Sequence, residues 1–169
     1  MNIRRLTMNG LLLALAFVFS YIEWLLPEFL VIPGAKPGLA NIVIVTAMYC
    51  MGARDALLIN IVRIVLVGFT FGNMTAMIFS LAGGLLSLGI MTVLKRTDKL
   101  GIAGVSIAGG VFHNLGQLLA AVAVLRTAAV LYYLPWLILL GVAAGLVVGV
   151  ISGLCVRALS AHGDGTGFR

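Results

Sequence analysis

Apolar positions dominate this chain, so its interruptions carry most of the information. Apolar runs at 6–26, 38–51, 55–69, 75–94, 102–125 and 135–158 alternate with short breaks that hold Pro, Gly or charged residues. A membrane-crossing helix needs roughly 20 residues; four runs reach that length, and 38–51 and 55–69 fall short. The pattern predicts an all-α membrane protein with six transmembrane helices. The two short segments also fit a buried or re-entrant hairpin. Pro135 suits a first helical turn, where its missing N–H costs nothing. Residues 1–159 read as a single transmembrane domain, followed by a Gly-rich, polar tail at 160–169 whose composition predicts disorder.

Composition agrees with the pattern. The chain is 62% hydrophobic and 9% charged, with mean hydropathy +1.19, which excludes an ordinary soluble domain. Arg4 and Arg5 precede the first run, but no small-residue cleavage site follows, so that run reads as a retained helix. The net charge of +6 raises nucleic acid as a partner. Its distribution argues against that. With the N-terminus inside, Arg4, Arg5, Arg54, Lys95, Arg96, Lys99, Arg157 and Arg169 fall on one side, and only Lys36 and Arg126 on the other. This is the positive-inside pattern, and it predicts cytoplasmic N and C termini in the lipid bilayer of the cell membrane. Cys50 and Cys155 lie in or beside apolar runs and offer neither zinc spacing nor a disulfide framework.

The orientation converts sequence position into depth. Glu23 lies near the outer end of the first helix, Lys36 in the outer connection, and Asn41 just inside the second helix. His113 lies about 11 residues into the fifth helix, roughly 17 Å at 1.5 Å per residue, past the midplane of a roughly 30 Å core. Gln117 shares its face one turn further out, and Asn114 lies about 100° round. Arg63, near the middle of the third helix, is deeper and needs a partner, since an arginine at the bilayer centre costs at least about 2.5–3.5 kcal/mol. Polar residues at membrane depth tend to face the protein interior or a watery cavity. Glu23, Lys36, Asn41, Arg63, His113, Asn114 and Gln117 are therefore candidate substrate-binding residues. Each also has a structural reading. Glu23 fits an interface anchor, Lys36 a solvated loop charge, Asn41 and Asn114 interhelical hydrogen-bond glue, and His113 a structural histidine. Arg63 fits an ion-pair partner to Glu23.

Small residues form stripes. Gly141, Gly145, Gly149 and Gly153 recur every four residues, a ridge suited to close internal packing. Ala82, Gly83, Gly84 and Gly89 thin the fourth helix, and Gly10 with Ala14 makes a smaller pair on the first. Nucleotide-binding motifs are missing, and Asp55, Asp98 and Asp164 are isolated, so no carboxylate cluster gathers magnesium against a diphosphate. No Ser/His/Asp or Cys/His arrangement stands out. The residues thus predict no catalytic site, no metal site and no cofactor.

The loop PGAKPGLANIV at 33–43 resembles a hallmark of the membrane family called heptaprenyl diphosphate synthase component I, or Gx transporter family. NIVRIVLVG at 60–68, SLAGGLLSLGIM at 80–91, FHNLGQ at 112–117 and YYLPWLILLGVAAGLVVG at 132–149 extend the resemblance in order, over roughly 6–155. That family is similar to the substrate-binding S components of energy-coupling-factor transporters. The resemblance implies an S-component-like bundle with an outward pocket for a small molecule, capped by the loop between the first two helices. It also implies a transmembrane coupling subunit with two ATPases as partners, docked through Gly10 and Ala14. The expected function is then substrate binding for uptake of a small organic molecule. The other reading is a non-catalytic accessory subunit of polyprenyl diphosphate or quinone biosynthesis. It would serve a soluble prenyl synthase subunit and bind an isoprenoid diphosphate through Lys36, Arg63 and His113.

Overall fold

The computed structural model describes residues 3–26 and 38–161. Among these the chain is all-helical: α1 (Ile3–Leu25), α2 (Leu39–Cys50), α3 (Ala53–Thr70), α4 (Met74–Arg96), α5 (Ile102–Leu125) and α6 (Leu134–Ala161), with a 3-10 turn at Ala128–Tyr133 leading into α6. The helices fall where the apolar runs predict them, with ends shifted by a few residues. α1, α4, α5 and the stretch Ala128–Ala161 are long and apolar enough to cross a membrane. α3 has 18 residues but carries Arg54, Asp55 and Arg63. Ser160 and Ala161, the start of the expected tail at 160–169, belong to α6, and Lys36 and residues 162–169 lie outside the described residues.

α2 through α6 pack in sequence around a ring that closes where α6 meets α2, and α1 lies outside against α2 and α3. The physical reason is in α2. It is apolar on every side, and such a helix must be surrounded. Ala40 and every residue from Ile42 to Met48 are buried. At 1.5 Å per residue its 12 residues span about 18 Å, well short of a roughly 30 Å hydrocarbon core. α2 is thus an internal helix, and its N-terminus lies within the bundle.

Side-chain ties define two ends. At one, Arg5 pairs with Asp55 (Nε to Oδ2 3.1 Å), and Asn9 Nδ2 donates to Asp55 Oδ1 at 3.0 Å. Asp55 is therefore not isolated, as its position in the sequence suggested, but ties the start of α1 to the start of α3. At the same end Lys95 Nζ donates to the Met48 carbonyl at 2.7 Å and sits over the Tyr49 ring, satisfying the C-terminal dipole of α2. This end also carries Arg4, Arg54, Arg96 and Lys99 and is strongly basic. At the opposite end, Asn73 caps α4 by accepting from the Ala76 N–H at 2.8 Å.

α5 and α6 meet through glycine. A Cβ on Gly145 would lie 2.6 Å from Ile107 Cα and 2.7 Å from the Ser106 carbonyl oxygen, and one on Gly149 would lie 2.7 Å from Ala103 Cα. Only backbones without side chains approach this closely. The predicted four-glycine ridge is one residue shorter: Gly153 has nothing within 4 Å of its would-be Cβ, and the same is true of Gly89 in α4.

Candidate functional site

The end of the ring opposite the basic one encloses a polar chamber of about 100 Å³. Its wall draws Ser20, Glu23 and Trp24 from α1, Asn41 from α2, Arg63 from α3, Ser80 from α4, and His113, Asn114 and Gln117 from α5. All six described candidates predicted to bind substrate therefore line one space. Phe71 walls it beside Trp24, and its ring centroid lies 5.4–5.6 Å from those of Phe17, Tyr21 and Trp24. Phe112 and Trp136 line no part of it.

Each polar residue has a local cause. Glu23 Oε1 accepts from the Leu39 N–H at 2.5 Å, so this carboxylate caps the N-terminus of α2, where a negative charge is favoured. Gly38, the residue that opens α2, has φ +81, which glycine adopts without steric cost. Asn114 Nδ2 donates to the Leu137 carbonyl at 2.7 Å, the interhelical glue its sequence position allowed, which leaves Oδ1 and the second Nδ2 N–H. The backbone at His113 is set by Gly83: a Cβ there would lie 2.7 Å from the His113 carbonyl oxygen and 2.8 Å from Gln117 Cγ.

Arg63 is buried, with 9% of its surface exposed. Its Nη2 donates to Asn60 Oδ1 at 2.9 Å, and its Nη1 to Ser20 Oγ at 3.3 Å. Both partners are neutral. Glu23 is within electrostatic reach of the guanidinium, and its Oε1 accepts from the α2 backbone. Among the described residues, Nε of Arg63 has no hydrogen-bond partner. A buried cationic donor left unmet is costly, and invites an acceptor from outside the chain.

A second chamber of about 260 Å³ continues inward, sharing Gly38, Asn41, His113 and Asn114 with the first. Its volume is just under the roughly 300–1,000 Å³ usual for small-molecule pockets. All five ring helices contribute: Ile44 and Val45, Asn60, Ser87 and Met91, Ser106 and Gly110, and Gly141 and Val148. Gly84 keeps it open beside Asn60, since a Cβ there would lie 2.6 Å from Asn60 Nδ2. The two chambers share a wall; Glu23 and Arg63 line the outer one, and the described lining of the inner one holds no Asp, Glu, Lys or Arg.

Gly10 and Ala14 lie elsewhere, exposed on α1, and Gly10 has nothing within 4 Å of its would-be Cβ. Sequence reasoning missed Ser20 and the inner chamber. Ser20 precedes Glu23 by three residues in a greasy helix, so the two share a face; that spacing was the available signal. Nothing in the sequence pattern marks Ser87 and Ser106 as facing a common cavity.

Comparison with curated proteins and with solved structures gives no match. Over residues 12–155, which include the whole described wall of both chambers, the chain matches heptaprenyl diphosphate synthase component I, and it belongs to that family.

Proposed function

We propose that the chain is the substrate-binding membrane subunit of an uptake system for a small organic molecule, seated in the paired chambers. The observation that carries this reading is the convergence of Glu23, Asn41, Arg63, His113, Asn114 and Gln117 on one space, with a buried guanidinium donor unmet. In this reading all six helices lie in the membrane, α2 as an internal half-length helix. Both termini and the basic end face the cytoplasm, and the chambers face outward. Energy comes from a transmembrane coupling subunit and its ATPases, and the exposed Gly10 and Ala14 on α1 form the contact.

The family name favours a second reading, an accessory subunit that holds an isoprenoid diphosphate for a soluble prenyl synthase. A chamber of about 260 Å³ suits a metabolite better than a long polyprenyl tail, which would have to leave between helices into lipid. The test uses the small molecule that co-purifies with the full chain. His113→Ala and Gln117→Ala should each weaken its binding about 10- to 100-fold, the effect of removing one buried hydrogen-bond partner, while the protein stays folded. Unchanged affinity in both folded variants removes the proposal.

A further inference from the structure

We infer that the molecule held in these chambers carries one anionic group, a carboxylate, seated against Arg63, and an uncharged body that reaches into the inner chamber. The inference rests on the uptake reading and specifies its substrate class. Three observations carry it.

The first is Arg63 itself, about nine-tenths buried yet lining the polar chamber, with its Nε unmet among the described residues. Neutral Asn60 and Ser20 take its other nitrogens, so among the described residues no bonded carboxylate balances the charge. An oxygen anion is the acceptor that both completes the hydrogen bonding and balances the charge. The second is the position of Glu23. Its carboxylate is spent on the N-terminus of α2, where Leu39 N–H and the helix dipole hold it. Among the charged residues lining the described wall, one cation faces one carboxylate already engaged. With Glu23 held at the α2 N-terminus, Arg63 is the cation on the described wall that a single anionic group can meet; a diphosphate brings more charge than one guanidinium neutralises. The third is the inner chamber, whose described lining holds no Asp, Glu, Lys or Arg. Asn60, Ser87 and Ser106 offer it hydrogen-bonding groups among apolar and glycine surfaces. Charge stays at Arg63, and the part of the molecule that enters deeper is neutral.

The test measures thermal stabilisation of the full chain in lipid nanodiscs. The probes are matched pairs of acid and primary amide (indole-3-acetate with indole-3-acetamide, benzoate with benzamide, and further metabolite-sized pairs), together with isopentenyl and geranyl diphosphate. At least one acid should half-saturate at a concentration about tenfold or more below that of its amide, the scale of a charge-assisted bond. Arg63→Gln should erase that preference, and Arg63→Lys should keep part of it. If Arg63→Gln fails to fold, the acid-to-amide ratio on the unaltered chain decides. Amides binding as well as acids, or a diphosphate binding tightest, overturns the carboxylate while leaving an occupied pocket. No stabilisation by any probe class overturns the pocket reading and this inference together.

Discussion

Gly145 and Gly153 lie two turns apart on α6 in one four-residue repeat, yet the structure gives alanine opposite consequences at the two positions. A Cβ at Gly145 would lie 2.6 Å from Ile107 Cα, whereas ordinary contact begins near 3.4 Å. The difference, 3.4 − 2.6 = 0.8 Å, must come from moving the backbone of α5 away from α6. Overpacking of this kind costs about 1–3 kcal/mol. The gain from replacing a mid-helix glycine, up to about 1 kcal/mol, offsets part of it. We predict that Gly145→Ala destabilises the protein by about 1–2 kcal/mol. Gly153 has nothing within 4 Å, so Gly153→Ala keeps only the helix gain of about 0.5–1 kcal/mol. The separation between the two variants, about 2 kcal/mol, is a factor of about 30 in the unfolding equilibrium. Reversible unfolding in bicelles, followed by a trapping probe on the unfolded chain, reads that factor directly. Equal stabilities, or Gly145→Ala above Gly153→Ala, would refute the backbone-to-backbone packing of α5 and α6 from which the argument starts.

Other consequences follow at the basic end. Asp55→Ala leaves the buried Asn9 amide without its acceptor and should cost about 1–3 kcal/mol, whereas Asp55→Asn restores an acceptor oxygen and should cost less; thermal unfolding of both in detergent makes the comparison. Lys95→Met removes the donor from the Met48 carbonyl at the end of α2 and should lower stability by about 1–2 kcal/mol in the same assay. For topology, a cysteine at Asp98 should react with an impermeant reagent only from the cytoplasmic side and one at Asn73 only from outside; the reverse would turn the chambers inward.

The helices were legible because each apolar run is bounded by Gly, Pro or charge, and five of the six ends at the basic side are marked by Lys, Arg or Asp. The role of α2 was only half legible. Its length admitted a transmembrane helix as well as a buried or re-entrant hairpin, and the structure adds the packing of α1, α3 and α6 around it. The polar chamber was legible in its members, since intramembrane Glu23, Arg63 and His113 are costly unless they converge. Their pairing was not. Glu23 sits within electrostatic reach of Arg63 yet bonds the α2 backbone, and Asn60, one turn away on the same helix, takes the guanidinium instead. Such choices are made among donors a few ångströms apart, and depth along a helix does not resolve them. The glycine ridge shows the same limit: a four-residue repeat puts Gly153 on the contacting face, but α5 has begun only at Ile102 and offers it no backbone.

The most direct test of the central claim is mass spectrometry of the full chain purified from its native membrane, with small molecules released by denaturation. The account predicts a metabolite-sized compound, near-stoichiometric with the unaltered protein and depleted from folded His113→Ala. Recovery of a prenyl diphosphate, or of no small molecule from a protein that instead co-purifies with and activates a soluble prenyl synthase, would contradict it.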